Sequence, residues 1–108
     1  MLTGKNKEQF EEWFNKNIHD EQERMYYIEK FYSMHLSMQF GVYVDYYNSI
    51  DVRVFIEEEY DTMFQYQRGF NPVVNGTQLH SNGDCFPHIE EARTKALEKA
   101  NEIVNEKQ

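Results

Sequence analysis

The 108-residue chain has one cysteine, two prolines and five glycines. With Cys85 alone, no disulfide can form within the chain, and a reducing cytosol is the expected compartment. Basic side chains are also scarce: 11 Lys and Arg stand against 19 Asp and Glu, a formal charge of −8. Phosphate backbones and anionic lipid surfaces are held by clustered Lys and Arg, so direct binding to nucleic acid or to membranes is disfavoured. No apolar run is long enough to span a bilayer, and the opening MLTGKNKEQFEEWF has no apolar signal-peptide stretch. A cytoplasmic protein is therefore expected. G-x-S-x-G, P-loop and G-x-G-x-x-G motifs are all absent.

Aromatic residues are plentiful at 16%, with eight Tyr and eight Phe. A chain of this length forms one domain with one modest core. Some rings must therefore sit at its edge, a role tyrosine tolerates because its hydroxyl stays wet.

The hydrophobic pattern predicts an α+β domain, ordered α-β-β-β-α, with an antiparallel three-stranded sheet and the helices packed on one face. Residues 1–35 read as helical. Phe10, Trp13, Phe14 and Ile18 form one stripe, and Met25, Ile28 and Tyr32 continue another. Asp20 is a second helix start, which leaves one bent helix or two. Residues 37–70 read as sheet. From Met38 the period becomes two: Met38, Phe40, Val42, Val44 and Tyr46 face the core, opposite Gln39, Gly41, Tyr43, Asp45 and Tyr47. On this reading Val44→Asp unfolds the domain and Tyr43→Ala is mild. After a turn at Asn48 and Ser49, Val52, Val54 and Ile56 are the buried set of a second strand. A third strand covers 62–70, with Phe64, Tyr66 and Phe70 marking a face. Residues 71–87 read as loop, with a short strand near Thr77 to His80. A helix over 88–106 carries the stripe Ile89, Ala92, Ala96, Ala100 and Ile103.

The order and the final helix, IEEARTKALEKANEIV, resemble the double-stranded RNA-binding domain. That family reads phosphates with a basic cluster at the start of this helix, where this chain has His88, Ile89, Glu90 and Glu91. The resemblance therefore implies a fold outline without carrying over RNA binding. The stretches LSMQFGVYVDYYNSIDVRV and EARTKALEKANEIVN resemble a group of small uncharacterised proteins of phages and other bacterial mobile elements. That second resemblance implies a phage accessory protein. Small acidic proteins of that origin are often inhibitors of host defence nucleases, anti-CRISPR proteins among them.

Candidate chemistry is sparse. A Cys85/His88 pair offers a thiolate nucleophile in principle, but a half-buried loop cysteine beside a helix start is much the plainer account. His80, Cys85 and His88 would need a fourth zinc ligand, for which His35 and Asp84 are only distant options. No catalytic residue, metal or cofactor is expected. The strongest feature is acidic: Asp45 to Asp61 holds six carboxylates and one basic residue, Arg53. Same-face strand residues repeat about every 7 Å, so such a row imitates a phosphate backbone and accepts arginine. The expected partner surface comprises Tyr43, Asp45, Tyr47, Phe55, Glu57, Glu58, Glu59, Tyr60 and Asp61. It suits a protein partner with a basic surface, such as a nucleic-acid-binding host protein. The plainer account is a charged sheet edge that resists aggregation.

Overall fold

A computed structural model of the protein describes residues 2–61, 63, 66–80 and 83–107. Four helices and three strands follow one another: α1 Gly4–Asn15, α2 Glu21–Tyr32, α3 Leu36–Ser49, β1 Val54–Asp61, β2 Tyr66–Val74, β3 Thr77–Gln78 and α4 Ile89–Glu106. The domain is α+β, and the sheet is antiparallel in the order β1-β2-β3.

The N-terminal region is two helices. Asp20 separates them by accepting bonds from the Gln22 and Glu23 amides, which satisfies orphan donors of the first turn of α2. Thr3 occupies the cap position of α1 without capping it, and its hydroxyl accepts instead from Asn101 on α4. Phe10 is fully buried on α1, whereas Met25 on α2 is 62% exposed and outside the core.

The segment from Leu36 to Ser49 is the main departure from the sequence reading. It is a helix, not a strand. Its buried residues are Gln39, Tyr43, Tyr46 and Tyr47, spaced i, i+4, i+7 and i+8. Two things hid that period. Valine and aromatic side chains favour strands in general, and one core position is polar. Gln39 is buried because its amide donates to the Phe31 carbonyl. Met38, expected in the core, is exposed. The ring of Tyr43 packs 5.1 Å from Phe10 and 5.3 Å from Phe31, and Tyr46 meets Phe10 edge-on at 5.2 Å. Such pairs add to simple area burial.

Tyr46 and Tyr47 bury their hydroxyls by sharing one asparagine. Asn6 is fully buried. Its Oδ1 accepts from Tyr46, its Nδ2 donates to Tyr47 Oη and to Asn101 Oδ1, and its backbone N–H donates to Asn105 Oδ1. One amide thus joins α1 to α3 and α4.

The helix α4 buries Ala92, Ala96, Leu97, Ala100 and Val104 and packs on β1 and β2; the expected stripe holds at its alanines, while Ile89 and Ile103 are only half-buried. Small alanines let it approach the sheet closely. The strands are shifted along the chain from their expected places. β1 continues through 58–61, past the expected buried set Val52, Val54 and Ile56, and β2 takes in Asn71–Val74, expected as loop. Thr62 and Phe64 lie outside the described residues. Asn75 and Gly76 adopt φ of 51° and 81° between β2 and β3, the left-handed pair of a two-residue hairpin. β2 is the central strand, which is why its residues are more buried than those of β1.

Tyr43→Ala is expected to lower stability by about 3–5 kcal/mol in urea denaturation, as for other large aromatic truncations; a loss under about 1 kcal/mol would return the ring to the surface. Burial also pushes the Tyr43 and Tyr46 phenols up to about 12. The folded state resists ionisation that the unfolded chain undergoes near 10. Stability is therefore full below pH 10 and falls as pH rises from there towards 12, by about 1.4 kcal/mol per pH unit for each tyrosine. A melting temperature flat across that window would contradict this.

Candidate protein-binding surface

In β1 the sequence alternates about Val54 and Ile56, which turn towards the helices, and Phe55 and Glu57, which turn away. Beyond Ile56 the helix-facing residues are no longer apolar, and the strand runs on as Glu57–Asp61 beside the start of β2. This distal ribbon exposes Phe55 at 50%, Tyr60 at 56% and Tyr66 at 52%, with Met63 at its turn.

The nine residues expected to form a partner surface divide between three locations. Phe55, Glu57, Glu58, Glu59, Tyr60 and Asp61 lie together on β1. Tyr43 and Tyr47 do not join them: both are core residues on α3, at 1% and 0% exposure, and both leave the candidate surface. Asp45 is exposed but belongs to α3 rather than to the ribbon.

The carboxylates on β1 are not equivalent. Among the described residues the Glu57 carboxylate makes no hydrogen bond or ion pair. Glu58 accepts from Tyr60 Oη at 2.7 Å, across one strand face, which raises the Tyr60 phenol. Asp61 accepts from the Met63 amide and shapes the turn. Glu59 is committed within the ribbon, to Arg68 at 3.0 Å and to Asn71 Nδ2 at 3.0 Å on β2.

Arg68 holds that position because of a bulge. β1 residues Glu59 and Tyr60 pair with Gly69 and Gln67, which leaves Arg68 as the extra residue on β2. Its guanidinium bridges Glu59 and Asp84, the latter at 3.1 Å. The Cys85 amide and Arg68 hold the Asp84 carboxyl below its ordinary range, and Asp84 and Glu59 raise Arg68 in turn. Gly69 is required here: a Cβ would stand 2.4 Å from Phe86 O and 2.8 Å from Cys85 Sγ. That close approach lets Phe86 bridge to Phe70 on the edge of β2 away from β1.

Glu59, Asp84 and Cys85 bring donor atoms within 4.8 Å of one another, the one such set among the described residues. It differs from the His80, Cys85 and His88 set considered from sequence. Asn71 Oδ1, buried nearby, has no protein partner among the described residues. Arg68 already supplies the positive charge between the two carboxylates. Desolvation and those same carboxylates raise the Cys85 thiol, which keeps it protonated. A cation would therefore displace both the guanidinium and a proton, and the thiol is a poor nucleophile.

Sequence reasoning missed Arg68, gave Tyr66 only a strand face, and considered Asp84 only as a distant zinc ligand. An arginine within a strand carries no signal of a bulge, and Asp84 comes from a loop far along the chain. It also missed a second apolar surface. Met25, Tyr26, Tyr27, Met34 and Met38 are exposed on α2 and α3 and the link between them. Beside them a groove of about 430 Å³ is lined by Phe14, Ile18, Tyr27, Lys30, Phe31, Met34 and Val42.

Gly69→Ala is expected to cost about 1–3 kcal/mol, the range for overpacking, because the obstructing atom is backbone. Its footprint in amide exchange should centre on 66–71 and 84–86, with α1 and α3 unchanged. A neutral Gly69→Ala would dismiss the close packing of these two segments.

Comparison with protein-family models, curated proteins and solved structures finds no match for the chain.

Proposed function

We propose that the chain is a non-enzymatic protein-binding module that presents an acidic, aromatic β-ribbon to a basic surface on a partner protein. One observation carries the reading: Glu57 and Glu58 are exposed beside Phe55 and Tyr60, while the ribbon's own cation, Arg68, is turned to Glu59 and Asp84. Exposed carboxylates accept arginine and lysine, and the adjoining rings supply contact area at low entropic cost.

Basic surfaces of this kind are those with which proteins hold nucleic-acid phosphates. The narrower form of the proposal is a phage-encoded inhibitor of a host defence nuclease, of the anti-CRISPR kind, that occupies such a surface. The alternative is a nucleic-acid-binding module. The run α3-β1-β2-β3-α4 has the order of the double-stranded RNA-binding domain, which favours it. Against it, α4 begins with Glu90 and Glu91, and the nearest arginine, Arg93, is paired with Glu90.

The test compares the immobilised protein with its Glu57→Lys/Glu58→Lys variant, both exposed to nuclease-treated lysate of a bacterial host. The wild type should retain proteins that bind nucleic acid, and added duplex should compete for them. The variant should lose them with an unchanged melting temperature, since both side chains are exposed. Identical retention by both proteins would dismiss the ribbon as the binding surface. A salt-dependent gel shift of duplex RNA by the pure protein would favour the alternative.

A further inference from the structure

We infer that the outer edge of β1 is a docking strand for an extended, basic polypeptide segment, which pairs its backbone with β1 near Ile56 and Glu58 and sets arginine or lysine against Glu57 and Glu58. The inference rests on the reading of the ribbon as a protein-binding surface and adds the form of the partner to it.

Backbone alternation identifies the open edge. The Asn75 amide donates to the Arg53 carbonyl, so Arg53 points its backbone groups at β2. In an antiparallel pair every second residue does the same. Phe55 and Glu57 therefore pair inward, and Val54, Ile56 and Glu58 turn their N–H and C=O groups outward. The other side of the sheet agrees with this phase. Phe70 and Pro72 bond away from β1, to Phe86 and Leu79, and Pro72 has no N–H to lose. β1 is the terminal strand of the sheet, and among the described residues no backbone group of Val54, Ile56 or Glu58 bonds beyond it. The edge is open distally: Ile56 is half-buried and Glu58 exposed.

An open edge pairs with another strand. Charge decides which. An antiparallel pair of two β1 strands that sets outward-bonding Ile56 against Glu58 would bring Glu57 against Glu57 and repel, so a second copy of the chain is a poor occupant. A basic strand reverses the sign of the same contacts. Glu57 and Glu58 point to opposite faces, so two adjacent basic residues on the incoming strand meet both. Phe55, on the face of Glu57, offers an apolar neighbour.

The probe is a blocked eight-residue peptide of valine and threonine with two adjacent arginines at its centre. Its twin carries N-methyl groups on alternate backbone amides and the same charge. Titration is followed by amide NMR of the whole chain. The parent peptide should shift the Ile56 and Glu58 amides and bind about ten-fold or more tightly than the twin. Glu57→Lys/Glu58→Lys should abolish binding of both. If parent and twin bind alike, edge pairing is wrong while the acidic surface stands. If neither peptide shifts any ribbon amide, the inference and the proposed function fall together. A concentration-dependent dimer that shifts the same edge amides without peptide would overturn the choice of occupant.

Discussion

The amide of Asn6 is the constraint on which the helical layer depends. A buried amide without partners is costly, and so are two buried phenols. Here each offsets the others: the Oδ1 is held by Tyr46, the Nδ2 by Tyr47 and Asn101. The network closes only when α1, α3 and α4 stand in one arrangement. In that arrangement Phe10 reaches the ring of Tyr43, and the alanine stripe of α4 comes against the sheet. Thr3 and Asn105 extend the same lock, since the Asn105 amide donates to the Thr3 carbonyl. Apolar packing drives the collapse of this core, and directional bonds select one of its many possible arrangements.

The ribbon follows a different economy. The domain has a radius of gyration of 15.7 Å and extents of 56 × 28 × 19 Å, against about 13 Å for a compact chain of this length. The distal ribbon is held by its own ladder, by the Arg68 bulge and by the Phe86 bridge. Its carboxylates contribute little to stability, because exposed ion pairs are weak. They set the sign of the surface and hence the sign of what it attracts. A frame that carries the stability and a ribbon that carries the charge leave the ribbon free to present its edge.

Much of this was legible in the amino-acid order, and the gaps have physical causes. Ala92, Ala96 and Ala100 place α4 because one alanine per turn is hard to mistake. Val54 and Ile56 mark β1, and Asp20 marks the start of α2. The helix α3 is hidden in the sequence because Tyr43, Val44 and Tyr46 suit a strand locally and are made helical by tertiary packing. Its buried Gln39 broke the apolar period. With the wrong period, Tyr43 and Tyr47 were turned outward and added to a surface they do not reach. The acidic run Glu57 to Asp61 was recognised, but not its division between the committed Glu59 and the free Glu57. That division needs Arg68 and Asp84, which only the fold brings together. Asn75-Gly76 was the missed local signal: that pair marks a two-residue hairpin, and it would have extended β2 to Val74.

The central claim is that β1 presents an open, outward-bonding edge in an otherwise well-ordered domain. Residue-resolved native-state hydrogen exchange tests it directly. The Phe55 and Glu57 amides, paired to β2, should exchange slowly, and the Ile56 and Glu58 amides between them should exchange quickly, while α1, α3 and α4 stay protected at their centres. Uniform protection from Phe55 to Glu58 would mean that the edge is already covered, and would contradict the account.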